Sequence, residues 1–126
     1  MRFVVLHHTG WGAAHFDVML EPPHQTRGLI TFRATRFPIQ PGDVVEQLAD
    51  HRREFLTYEG PISDARGHVK RAEHGTYELV AGSDANSEPI CLRFTLAGKT
   101  VERDLVLTKT TRSTWIAQSP LLSEGH

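Results

Sequence analysis

The residues best suited to chemistry cluster in His15-Phe16-Asp17-Val18-Met19-Leu20-Glu21, where Phe16, Val18 and Leu20 recur at every second position. A β-strand sends alternate side chains to opposite faces, so these three form a core face. His15, Asp17, Met19 and Glu21 then share the other face. A histidine and a carboxylate two apart on one strand face are close enough to share a metal ion or a phosphate oxygen. A solvated face with a local hydrogen bond is the commoner fate of such a pair.

A second cluster, His7-His8, ends the preceding apolar run Arg2–His8 just before the turn Thr9-Gly10-Trp11-Gly12. If the two runs form a hairpin, one of these histidines comes near His15 and Asp17. Two imidazoles and a carboxylate make a facial set that holds a divalent transition metal and leaves positions open. Adjacent strand residues face opposite ways, so at least one histidine of the pair is incidental. A third candidate is Asp50-His51 with Arg52-Arg53, leading into Phe55-Leu56-Thr57-Tyr58-Glu59-Gly60. By spacing alone it reads as an exposed charged turn. His24, His68, His74 and the terminal His126 read as surface residues, and Cys91 as a small core residue. No GxSxG, P-loop, GxGxxG or CxxC signature occurs.

The elements that must position these residues read as strands. Leu29–Ala34 follows Pro22-Pro23, and Val44–Leu48 is either a short strand or a helical turn. His68–Ala72 and Thr76–Val80 flank Glu73-His74-Gly75 as a hairpin. Ile90–Leu96 alternates, Ala97-Gly98-Lys99 suggests a tight turn into Val101–Lys109, and Ser113–Gln118 adds a last strand. About eight or nine short strands separated by Gly, Pro, Asp and Asn turns predict one all-β antiparallel domain, a sandwich or barrel. The most loop-like stretches are Gly82–Pro89 and the tail after Ser119.

Composition limits the function classes. With 126 residues the chain holds one domain's worth of sequence, with 39% hydrophobic and 23% charged residues, which favours neither disorder nor a membrane class. No apolar run approaches the roughly 18 residues a spanning helix needs. The segment MRFVVLHH turns polar too soon for a signal peptide. One cysteine excludes an intrachain disulfide and an all-cysteine metal site, and a cytoplasmic location is expected. Fourteen basic residues against fifteen acidic ones give a net charge of -1, so no global basic field advertises nucleic acid. Eight histidines in so small a chain point instead to metal binding or acid–base chemistry at one place.

Taken in order, FVVLHH, HFDVMLE, DHRREFLTYEGPIS and RGHVKRAEHGTYEL resemble the 3'-phosphoesterase domain of bacterial DNA ligase D. Leu92–Gly98 and Asp104–Lys109 are similar to that family's last strand pair, so the resemblance runs from about Arg2 to Gln118. It implies a single compact antiparallel β-barrel over residues 1–118, with 119–126 as a C-terminal tail. It also implies a site dependent on a divalent metal, manganese first with zinc or cobalt as alternatives. The reaction implied is hydrolysis at nucleic-acid 3' ends in DNA repair, removing a terminal phosphate or ribonucleotide. Matching positions give His8, Asp17 and His51 as metal ligands, with His15 beside the metal and Arg36 near a basic, phosphate-holding position. Two positions depart from the family pattern. Met19 stands where the family has an arginine that holds the phosphate, and Phe55 where it has a tyrosine. Arg33, Arg52 and Arg53 are the cations that could substitute. The ligase and polymerase domains fused to the ligase D domain are absent from this sequence, so such partners are expected to act in trans. The alternative expectation is a weakened or inactive relative that binds nucleic acid or a repair partner.

Overall fold

A computed structural model describes residues 1–23, 27–81, 90–96 and 102–118. Nine strands follow in chain order: β1 (Arg2–Thr9), β2 (His15–Leu20), β3 (Leu29–Ala34), β4 (Val44–His51), β5 (Gly60–Pro61), β6 (His68–Ala81), β7 (Ile90–Leu96), β8 (Glu102–Lys109) and β9 (Thr114–Gln118). One turn of 3-10 helix, Arg53–Leu56, precedes β5. The strands pair antiparallel in the order β1-β2-β3-β4-β9-β8-β7-β6, and β6 pairs back onto β1. The result is a closed eight-stranded barrel, with β5 as one extra strand on β6. Among the described residues no helix is long and apolar enough to cross a membrane. The segments Gly82–Pro89 and Ala97-Gly98-Lys99, the tail 119–126, His24 and His126 lie outside the described residues.

Alternation builds two cores from the same strands. Phe3 and Val5 of β1, Val18 and Leu20 of β2, Phe32 of β3 and Trp115 of β9 bury together and fill the barrel. Their neighbours of opposite parity, Val4, Leu6, Met19 and Leu29, form a second buried cluster with Val69. That outer patch is covered by Leu56 and Phe55 of the 3-10 turn and by Ile62. Burying apolar surface on both faces of β1–β3 explains why these strands read as nearly continuous hydrophobic runs.

Two irregularities change which side chains face the outer patch. The expected hairpin at Glu73-His74-Gly75 is not formed, since β6 runs unbroken from His68 to Ala81. One half of β6 pairs with β1 and the other with β7, so both strands hold it extended through Gly75. The register slips by one residue between Val5↔Glu73 and Leu6↔Arg71, where a bulge at Ala72 absorbs the closure of the barrel. The segment Val44–Leu48, open between strand and helical turn, is a strand that continues to His51. Its register also slips, from Thr31↔Leu48 to Leu29↔His51. Unslipped pairing would set Asp50 opposite Leu29, so this shift turns His51 toward the outer face.

Candidate metal centre

The end of the β1–β2 hairpin brings three candidate residues together. His8 pairs directly with His15 across the two strands, and Leu6 with Asp17. His8, His15 and Asp17 therefore project from one face, at direct and diagonal cross-strand positions. One potential ligand atom from each lies within 4.8 Å of the others. The imidazoles of His8 and His15 meet edge to face at 4.8 Å between centroids. His7, of opposite parity, stacks instead on Phe16 at 4.5 Å. Parity thus separates the two adjacent histidines.

Burial and hydrogen bonding narrow what the cluster can do. His15 is 7% exposed and Asp17 3%. His15 Nδ1 lies 3.1 Å from the Ala13 carbonyl oxygen and donates to it, which leaves the Nε2 lone pair as the free position. That Nε2 stands 3.4 Å from Asp17 Oδ2. With a neutral imidazole two acceptors so placed repel each other, and a proton on Nε2 or a metal cation between them removes the repulsion. Both His15 Nε2 and Asp17 Oδ1 are buried without a hydrogen-bond partner. Buried polar atoms are ordinarily satisfied, and two buried acceptors without a hydrogen bond have the chemistry to hold a cation.

The other histidines are pinned in the same manner. His8 Nε2 donates to the Arg66 carbonyl at 2.7 Å, and His51 Nδ1 to the Ala49 carbonyl at 3.1 Å. A backbone carbonyl on one ring nitrogen fixes the tautomer and turns the lone pair of the other nitrogen outward, as metal-binding histidines require. The Arg66 carbonyl is itself held by a tight loop. Asp64 and Ala65 both have positive φ, 62° and 56°, and Ile62 N–H bonds the Gly67 carbonyl at 2.8 Å. Gly67 has φ +85°, and an added Cβ there would collide with the Thr9 carbonyl. Only glycine permits this approach of the loop to the end of β1.

His8 and Asp17 line a cavity of about 300 Å³ together with His51, Met19 and Phe55. Three guanidinium-bearing residues, Arg33, Arg52 and Arg66, and Ser63 complete its polar lining. Arg33 faces Asp17 across β2 and β3, with Nε 3.6 Å from Asp17 Oδ1. Arg52 lies 5.9 Å above the Phe55 ring, which also meets His51 edge to face. The cavity thus gathers acceptors at one point and three guanidinium groups around it, which pair with Asp17, Glu54 and Asp64 at 3.6, 3.6 and 3.5 Å. Such a surface suits a phosphate that bridges a metal ion and arginines.

The expected residues divide accordingly. His8 and Asp17 stand in the compact cluster, and the third member is His15. His51 shares the cavity but contributes no ligand atom to that cluster. Arg36 is engaged elsewhere, in a two-pronged pair with Asp43 at 2.9 and 2.7 Å, and does not line the cavity. Its guanidinium holds the Asp43 carboxyl down to about 2, helped by the Gln40 N–H. Arg53 Nε donates to the Arg27 carbonyl, so it braces the strand end rather than the cavity. Residues not anticipated are Arg66, whose carbonyl orients His8, and Trp11, which lines the cavity from the β1–β2 turn. The only sequence signal for the first was the Arg66-Gly67 pair beside a strand start. No known family model matches the chain, and no curated protein matches it.

Proposed function

We propose that the protein is a divalent-metal-dependent phosphoesterase acting on the 3' ends of nucleic acid, as its resemblance to the ligase D 3'-phosphoesterase domain implies. The observation that carries this reading is the pair of buried acceptors on His15 and Asp17 that lack a hydrogen bond, set beside His8 next to an arginine-lined cavity. His8, His15 and Asp17 are the residues that would hold the ion, and His51 is left for the phosphate side of the cavity. The roles of His15 and His51 are therefore exchanged relative to the sequence expectation. Bound there, manganese (or zinc or cobalt) would neutralise phosphate oxygens and lower the pKa of a water toward ~7.

In this reading Arg33 takes the place of the arginine absent at position 19. It reaches the cavity from the neighbouring strand and binds a phosphate oxygen. The net reaction joins a water oxygen to phosphorus, breaks the bond to the 3' oxygen and returns a proton to that oxygen. His51, fixed by the Ala49 carbonyl, is placed to hold the proton or donate a hydrogen bond to the phosphate. The protein would act in the cytoplasm, with a repair ligase or polymerase as partner in trans.

A second reading, a relative that binds nucleic acid without turnover, is favoured by Met19 and Phe55. Met19 is 1% exposed within the outer apolar cluster, and Phe55 offers no hydroxyl to the cavity. Loss of one donor to developing phosphate charge costs ~10²–10³ in rate. Phosphate release from a 3'-phosphorylated primer–template with added manganese decides between the two. Turnover that disappears in Asp17→Asn supports the enzyme. No turnover by fully metal-loaded protein leaves the binder.

A further inference from the structure

Trp11 is the largest apolar side chain left in solvent, 54% exposed, on the turn between β1 and β2. It is flanked by Gly10 and Gly12, both in the left-handed region at φ +81° and +64°. Two such glycines let the chain reverse around one residue and hold its side chain outward. Trp11 borders two cavities. One is the arginine-rimmed cavity above the histidine cluster. The other, of about 580 Å³, is mostly apolar, and Ala13, Thr35, Val44, Glu46 and Thr114 are among the residues that line it. His15 and Arg33 also line the second cavity, so it adjoins the proposed phosphate position at its edge.

We infer that this second cavity receives the nucleoside attached to the phosphate bound beside Arg33 at the proposed metal site, with its base stacked on Trp11. The inference rests on the phosphoesterase reading and supplies its substrate side. Its size lies in the range that encloses a small ligand. A flat, exposed indole next to a phosphate-binding point is what sequence-tolerant nucleotide recognition uses, because every base has a stacking face. Glu46 and Thr35 provide acceptors at the groove for ribose hydroxyl or base amino groups. Recognition by stacking needs no broad basic field, which agrees with a net charge of -1.

The test is equilibrium binding in the presence of manganese of two probes: the non-hydrolysable 3'-phosphonomethyl analogue of adenosine 3'-monophosphate, and methylphosphonate, which lacks the nucleoside. The nucleoside analogue should bind more tightly and quench the exposed Trp11, while Trp115 is fully buried and should not respond. Trp11→Ala should weaken the analogue roughly 5- to 150-fold, the range for one stacked base, weaken methylphosphonate by much less, and keep the melting temperature. Trp11→Phe should keep most of the binding. If both probes bind equally in the wild type, or Trp11→Ala weakens both alike, the inference is overturned while the metal-dependent phosphate site stands. If the analogue binds through Trp11 with or without manganese, the nucleoside cavity stands and the metal-dependent reading falls. If neither probe binds, both fall.

Discussion

His15 Nε2 faces Asp17 Oδ2 at 3.4 Å while the Ala13 carbonyl occupies its other ring nitrogen. In a buried pocket this arrangement sets lone pair against lone pair whenever the imidazole is neutral. The contact becomes favourable when a cation bridges the two atoms, which connects the local geometry of β2 to metal binding.

The first expected consequence concerns the metal-free protein. Asp17→Asn supplies an amide N–H to His15 Nε2 and removes a buried charge. The variant should be more stable without metal, by about 1 kcal/mol, the net worth of one hydrogen bond. It should also lose manganese affinity. Chemical denaturation with and without a chelator measures both. A destabilised Asp17→Asn protein would show that Asp17 is already satisfied.

Gly67 tests the support beneath His8. Gly67→Ala forces a Cβ onto the Thr9 carbonyl and moves the Arg66 carbonyl away from His8 Nε2. Loss of such an orienting partner typically lowers metal affinity 10–100-fold, and the strained φ costs ~1–3 kcal/mol. Gly42→Ala is the control, since its φ is +94° with open space around a Cβ. That variant should lose stability but keep metal affinity. Metal titration of both variants separates strain from site geometry.

Acid sensitivity should come in part from the Arg36–Asp43 pair. The folded carboxyl titrates at about 2 against an ordinary 3.8, because Arg36 and the Gln40 N–H favour its charged form. A depressed carboxyl stabilises the fold fully above about pH 3.8 and loses that contribution as pH falls toward about 2. Asp43→Asn should flatten the stability curve in this window. Arg36→Ala should do the same and leave kcat unchanged, because Arg36 lies outside the cavity. A large fall in kcat would return Arg36 to the site.

Phe55→Tyr is expected to raise kcat, by up to about 10²-fold if its hydroxyl reaches the phosphate. Phe55 already packs against His51 at the cavity, so the added oxygen enters a formed site. Steady-state kinetics on a 3'-phosphorylated primer–template give the answer. Unchanged kcat would mean that position 55 points its ring edge away from the phosphate.

Much of the fold was legible because alternation is local. HFDVMLE announces its two faces, and Leu29–Ala34 and Ile90–Leu96 coincide with observed strands. The hairpin expected at Glu73-His74-Gly75 failed because turn-prone residues are held extended when both flanking strands pair with them. Spacing alone left His7 and His8 open and the resemblance favoured His8, the one that parity sets beside His15 while His7 stacks on Phe16. His51 reaches the outer face only through a register slip in β4, which no residue pattern there signals. The Arg66 carbonyl was invisible for a simpler reason. A backbone oxygen carries no side-chain identity, and its position depends on two left-handed residues and Gly67.

The central claim is that His8, His15 and Asp17 form a divalent-metal site. Its most direct measurement is calorimetric titration of chelator-stripped protein with manganese, repeated on His8→Ala, His15→Ala and Asp17→Asn. One equivalent should bind to the wild type. With manganese at ~100 times its Kd, the protein should gain about 2.7 kcal/mol in stability. Each variant should lose the binding, and His51→Ala should retain most of it. Absence of manganese, zinc and cobalt binding by folded wild-type protein, or binding that survives in Asp17→Asn, would contradict it.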